Sequence, residues 1–196
     1  MASEAASHPE SGSSSRAGFL DATGMLLRRQ GYAATGLAEI VARSGAPRGS
    51  LYFHFPGGKQ QLAVRAMEQE GERLRDAIAA TLAASERPGE SLALLIDALA
   101  AGLERSRYRD GCPIATVTLE AASSAEPIRL TAASVFASWL DVIERRLAAS
   151  GLDPAAARRR SQLVLAAIEG ALILARAERS TGPLLAVRDE LRELLG

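Results

Sequence analysis

GLAEIVARSGAPRGSLYFHFPGGKQQL, residues 36–62, holds two short helical patterns on either side of Ser44-Gly45-Ala46 and the start of a third after Pro56-Gly57-Gly58. Leu37, Ile40 and Val41 are spaced three and four apart, which puts one apolar stripe on one face of a first helix. Gly45 is suited to end it, because the residue after the last turn commonly takes a left-handed backbone that glycine adopts without steric cost. Pro47 suits the opening of the next helix, where a missing N–H leaves nothing unsatisfied. In that second helix Leu51 and Phe55, four apart, turn inward and leave Arg48, Ser50, Tyr52 and His54 outward. These outward types fit a duplex: arginine pairs with the guanine edge in the major groove, while hydroxyl and imidazole donors reach phosphate oxygens. Gly49, with no side chain, lets a partner approach the backbone. The pattern is a helix-turn-helix followed by another helix.

Local charge supports this reading. Between residues 28 and 59 the chain carries Arg28, Arg29, Arg43, Arg48 and Lys59 against Glu39 alone, in a protein of formal net charge +0.

The run from Phe19 to about Met67 resembles the DNA-binding domain of TetR-family transcriptional regulators. GSLYFHFPGGKQQL, with the later Gly111-Cys112-Pro113, is similar to the LmrA/YxaF-like branch. The resemblance implies a recognition helix over residues 48–54, with Tyr52 and His54 on phosphate and Lys59 meeting the backbone from the next helix. Thr35, Arg48, Gly49, Ser50, Tyr52, His54 and Lys59 are therefore the candidate DNA-binding residues. The chain departs from the family in three places. Gly36 stands where the family has a capping Thr, with Thr35 one residue earlier; either serves as cap, with Glu39 supporting the helix start as half of a capping box. Ala38 replaces a long polar side chain that reaches DNA. Pro56-Gly57-Gly58 is one residue longer than the usual turn.

The 196 residues, 47% hydrophobic, suffice for one or two small domains with a real core. Alanine, leucine and arginine dominate and no stretch alternates like a strand, so the fold class is all-α with about nine helices. One cysteine excludes an intrachain disulfide and the zinc spacings are missing, so no metal or cofactor is expected. The first fifteen residues have no apolar core and read as a disordered tail rather than a signal peptide. Leu163 to Ala175 is interrupted by Glu169 and too short to span a bilayer. A cytoplasmic protein without membrane contact follows.

The expected helices are residues 19–30, closed by Gly31, then the helix-turn-helix pair, then 59–84, 91–104, 113–123, 127–149, 154–179 and 183–195, several opened by proline. Domain boundaries fall at 1–15 for the tail, 16–66 for the helix-turn-helix domain and 67–196 for a helical effector-binding and dimerisation domain. Residues 59–84 form one long helix whose apolar line of Leu74, Ile78 and Leu82 links the two domains. The eighth helix is apolar on more than one face, and the ninth adds Leu184, Leu191 and Leu195. By the resemblance these two join their symmetry mates in a homodimer, with Leu172 and Leu191 as seam positions where a charge would break it.

Catalysis finds little to work with. His8 and His54 have no acid or nucleophile at short range. Cys112 reads either as a small buried residue at a helix start or as a thiol activated by Arg107 and Arg109. A pocket for a small hydrophobic effector, which the resemblance implies, falls on the apolar sides of the sixth to eighth helices at Thr116, Phe136, Trp139, Leu140, Leu165, Ile168, Glu169 and Leu172. Glu169 stands out there, since a carboxylate in an apolar helical run must be paired, protonated or facing a cavity. The functional expectation is a repressor binding a palindromic operator in double-stranded DNA as a homodimer; the alternative is a helical ligand-binding or interaction module without operator binding.

Overall fold

The computed structural model describes residues 9–196; residues 1–8, with His8 and half of the expected tail, lie outside the described part. Residues 9–15, also expected to be tail, instead form the first turns of a long helix. Among the described residues there are nine α-helices and no strand: α1 Pro9–Ala34, α2 Leu37–Ser44, α3 Leu51–His54 behind a 3-10 turn at Arg48–Ser50, α4 Gly58–Leu82, α5 Pro88–Arg105, α6 Pro113–Ala121, α7 Glu126–Ala149, α8 Pro154–Glu178 and α9 Gly182–Leu195. The all-α reading and the helix order hold, with most ends within three residues of expectation. The recognition segment differs most, being one 3-10 turn and one α-turn rather than a continuous helix.

Side chains at helical spacing account for the packing. Phe19, Leu26, Ile40, Leu51, Phe55 and Leu62 are fully buried where α1 to α4 meet, and Phe19 meets Phe55 edge-on at 6.3 Å. Each such burial stabilises by roughly 1.5–3 kcal/mol, which is what holds so short an α3 in place. Gly45 is left-handed at φ 66°, as the turn requires.

α1 does not simply stop at Gly31. The backbone there swings to φ 76°, ψ −172°, and one more turn follows to Ala34. The kink lets α1 serve both halves of the molecule, since it packs on α2 and α4 on one side and on α6 on the other.

α4 runs out of the helix-turn-helix and lies along α7. The Trp139 indole N–H donates to the Gly71 carbonyl at 2.9 Å, pinning the middle of α4 to α7. At the far end the Arg146 guanidinium donates to the carbonyls of Leu82 at 3.0 Å and Ser85 at 2.6 Å, satisfying acceptors that a helix end leaves open. α5 and α9 pack together, with Arg188 on Asp97 and Arg192 on Glu90 across the contact.

Candidate nucleic-acid interface and effector cleft

The turn after Gly45 presents Arg48 exposed, with no acidic partner among the described residues. Beside it, a Cβ placed on Gly49 would meet nothing within 4 Å, and the residue does not need a positive φ. Nothing inside the protein calls for a glycine there, and its backbone lies exposed. Ser50 donates its hydroxyl to the Pro47 carbonyl at 2.7 Å, which secures the turn and leaves its oxygen as an acceptor. Tyr52 is 62% exposed on the same face, and His54 is half-buried against the rings of Phe53 and Phe55.

Two expectations change here. Thr35 is 1% exposed; its hydroxyl donates back to the Gly31 carbonyl at 2.6 Å across the α1 kink. It neither caps α2 nor reaches a ligand, and Gly36 holds the cap position without a side-chain bond. Glu39 does not return to the helix start. It accepts from Gln30 at 2.9 Å and Arg43 at 3.0 Å, and these two bonds, Gln30 first, hold its carboxyl below the usual range.

The basic excess is also smaller than the linear count suggested. Arg28 pairs with the buried Glu70, Arg29 lies 3.7 Å from Asp110, and Arg43 pairs with Glu39. Two of those acids come from far along the chain, so only folding reveals the neutralisation. Lys59 places its ammonium 4.5 Å over the Tyr32 ring and donates to the Ala33 carbonyl at 3.2 Å, tying the start of α4 to the end of α1. It remains half-exposed, with donors to spare.

Sequence reasoning missed two residues on this face. Phe53 is 83% exposed, and the signal was available, because it falls out of phase with Leu51 and Phe55. Arg16 is exposed and lies 5.9 Å over the Phe55 ring; it was hidden by being assigned to the border of a tail.

The effector candidates divide. A cleft of about 520 Å³ opens between α6, the end of α8 and the loop after α5, and Thr116, Glu169 and Leu172 line it. Phe136, Trp139, Leu140, Leu165 and Ile168 do not border it. Trp139 and Ile168 are core, with Phe136 edge-on to Trp139 at 5.5 Å, because the apolar sides of α7 and α8 close on their neighbours and leave no room. The opening lies instead toward the helix ends, where Arg107, Arg109, Arg176 and Arg179 stand around it. Those guanidinium groups share the lining with Ala115, Leu119, Leu172 and Ile173.

Inside the cleft Cys112 caps α6, its sulfur accepting from the Ala115 N–H at 3.4 Å. Burial pushes the thiol well above its ordinary pKa, aided by the neighbouring Glu169 carboxylate. That direction runs against thiolate activation, despite the arginines nearby in sequence. Glu169 is itself raised by burial, and its Oε2 is buried with no hydrogen-bond partner.

This cleft touches the DNA-binding half directly. The Gly111 N–H donates to the Arg28 carbonyl at 3.1 Å, and Glu120 accepts from the Ala33 N–H at 2.9 Å. Both acceptor and donor on α1 flank the Gly31 kink. Among the described residues no three His, Cys, Asp or Glu side chains cluster as a metal site, and no helix is long and apolar enough to cross a membrane.

Residues 19–66 match the family model described as bacterial regulatory proteins, tetR family, and residues 88–190 match the C-terminal domain of LmrA/YxaF-like transcriptional regulators. The chain is 34% identical over 181 residues to the HTH-type transcriptional regulator LmrA of Bacillus subtilis, covering 92% of this chain and 96% of that protein. It is 38% identical over 176 residues to an uncharacterized HTH-type transcriptional regulator of Mycobacterium tuberculosis, Rv0196, covering 87% and 89%. The crystal structure of regulatory protein TetR from Rhodobacter sphaeroides superposes with a TM-score of 0.81 at 19% identity, covering 91% of this chain and 97% of that one.

Proposed function

Because the chain belongs to the TetR family of bacterial transcriptional regulators, in its LmrA/YxaF-like branch, we propose that it binds a palindromic operator as a homodimer, represses transcription there and is released by a small-molecule effector. As a member of that family it is a helix-turn-helix DNA-binding regulator and not an enzyme. The observation that carries the finer reading is the Arg48-Gly49 turn: an unpaired guanidinium beside exposed backbone that no intramolecular contact needs. Arg48 reads a guanine edge, Tyr52, His54 and Ser50 set register on phosphates, and Lys59 adds a backbone contact once the duplex competes with the Ala33 carbonyl. Phe53 and Arg16 join this face; Thr35 does not.

The dimer forms through α8 and α9. Leu163, Ala166, Gly170, Leu174 and Ala177 are all exposed at helical spacing along α8, and Leu194 is exposed on α9. A stripe of that kind on a single chain asks for a partner. Twofold pairing sets two recognition segments about 34–36 Å apart, or a multiple of that, on an inverted repeat. Such a protein works in the cytoplasm, where the chromosome is.

The test is recovery and sequencing of genomic fragments retained by the purified protein, followed by mobility shifts on the recovered site. Arg48→Ala should cost about 1–3 kcal/mol and relax base preference, whereas Lys59→Ala should weaken all sequences alike. A wild-type protein that retains no fragment would favour the other reading, a helical ligand-binding module without an operator.

A further inference from the structure

The cleft beside α6 gathers four arginines at one opening. Several arginines of the chain are paired with acids, as Arg28, Arg73, Arg129, Arg145, Arg188 and Arg192 are. Arg107, Arg109, Arg176 and Arg179 have no acidic partner among the described residues. Their only hydrogen bonds are to backbone: Arg109 Nε donates to the Ser106 carbonyl at 3.1 Å and Arg176 to the Arg109 carbonyl at 3.4 Å. Of the two acids in the lining, Glu120 is committed to the Ala33 N–H. The other, Glu169, sits deep, with one oxygen buried and unpartnered.

The first turn of α6 opens into the same space through Cys112, Ala115 and Thr116, adding the positive pole of a helix. Leu172 and Ala115 supply an apolar wall, and Leu119 and Ile173 lie exposed at the opening. Among the described residues, the three non-glycine residues with positive φ, Arg107, Tyr108 and Arg179, all border this cleft. Left-handed backbone at non-glycine residues costs free energy that the surroundings must offset, and it concentrates at ligand sites. Here it aims the guanidinium-bearing segments at one opening.

Resting on the reading of the chain as an effector-released regulator, we propose that this cleft is the effector site and that its ligand is an amphiphilic organic anion. The guanidinium groups at the rim hold the charged head, and the apolar body lies along Leu172 and Ala115. Burial makes ionisation of Glu169 harder than for an exposed carboxyl, which lessens its opposition to an anion in the cleft. Arginine forks are matched to carboxylate, sulfonate and phosphate heads alike, so head class and not a single compound is what the site selects. The contacts of Gly111 and Glu120 with α1 give a bound anion a short path to the helix-turn-helix: pulling on the arginine-bearing loop moves the Arg28 carbonyl, and moving α6 shifts Ala33.

The experiment uses the full-length protein and calorimetry with three probes of one shape: 1-naphthaleneacetate, its neutral amide and the cationic 1-naphthylmethylamine. The acetate should bind at least about tenfold more tightly than the amide, and the amine should bind weakest, as charge-assisted contacts dictate. Arg107→Gln with Arg176→Gln should weaken the acetate by about tenfold or more and leave the amide unchanged. Should that double variant melt well below the wild type, Arg179→Gln at the exposed end of α8 gives the same readout with a smaller loss. An amide or amine that binds as tightly as the acetate overturns the proposal, as does acetate affinity unchanged by the arginine variants. Operator binding is measured on the same samples without probe. Retained operator binding without anion preference overturns this inference alone, whereas anion preference without any operator overturns the regulator reading and leaves the ligand class established.

Discussion

Gly31→Ala probes the junction between the two halves of the molecule. At φ 76°, ψ −172° the residue occupies a region that is essentially glycine-only, so an alanine costs about 1–3 kcal/mol in backbone strain. Its Cβ would also fall 1.8 Å from Glu120 Oε1, so the carboxylate must leave. That breaks the exposed bond from the Ala33 N–H, worth a further ~0.5–1.5 kcal/mol. The two parts sum to about 1.5–4.5 kcal/mol, or a fall in Tm of about 3–18 °C for a chain of this length. Urea unfolding at fixed protein concentration measures it, since a dimer's midpoint depends on concentration. The cycle is sharper than the single value: Glu120→Ala should cost ~0.5–1.5 kcal/mol alone and almost nothing in the Gly31→Ala background. A Gly31→Ala protein within 0.5 kcal/mol of wild type, or strictly additive variants, would refute the account of the kink.

Leu174→Glu, at a position 54% exposed on one chain, should give a folded monomer by light scattering, whereas Leu172→Glu, 7% exposed, should lose the fold itself; a Leu174→Glu dimer would sink the proposed seam. Glu169→Gln should raise Tm at neutral pH. Burial raises the folded-state pKa of Glu169, so its ionisation costs stability once pH passes the unfolded value, and the cost grows until the raised folded value is passed. The two proteins should therefore melt alike below the ordinary carboxylate range and diverge as pH rises; a constant gap would mean the effect is packing rather than charge. Trp139, 2% exposed and bonded to α4, should respond in its fluorescence to operator binding, with naphthalene-free effectors altering it only through α4 movement. Direct quenching by a bound ligand in the absence of any change in operator affinity would contradict that placement.

Most of the fold was legible because proline and glycine mark the helix ends and apolar spacing marks the faces. Leu51 and Phe55 went inward and Arg48 and Tyr52 outward as their spacing required. Long-range chemistry was not legible. Nothing near Arg28 or Arg29 in sequence announces Glu70 or Asp110, and nothing near Thr35 shows that its hydroxyl would fold back on Gly31. For the cleft, apolar periodicity pointed to Phe136, Trp139 and Ile168, which are core for the very reason that they are apolar and well placed. The loop after α5 carries no periodic signal, so its arginines could be gathered only by the fold. Leu172 and Leu191 likewise face their own core, and the exposed stripe of Leu163, Ala166, Gly170, Leu174 and Ala177 runs along the opposite side of α8 from Leu172.

Lys59 is the chain's single lysine among 23 basic residues. Its amine is therefore the sole side-chain target for acylation or reductive methylation, and it rests on Tyr32 and Ala33 at the joint between the long linking helix and the kinked first one. A ¹³C-methyl group placed there would give one resonance shifted by the tyrosine ring, without any mutation. Its position would follow the opening and closing of that joint as DNA and small molecules are added.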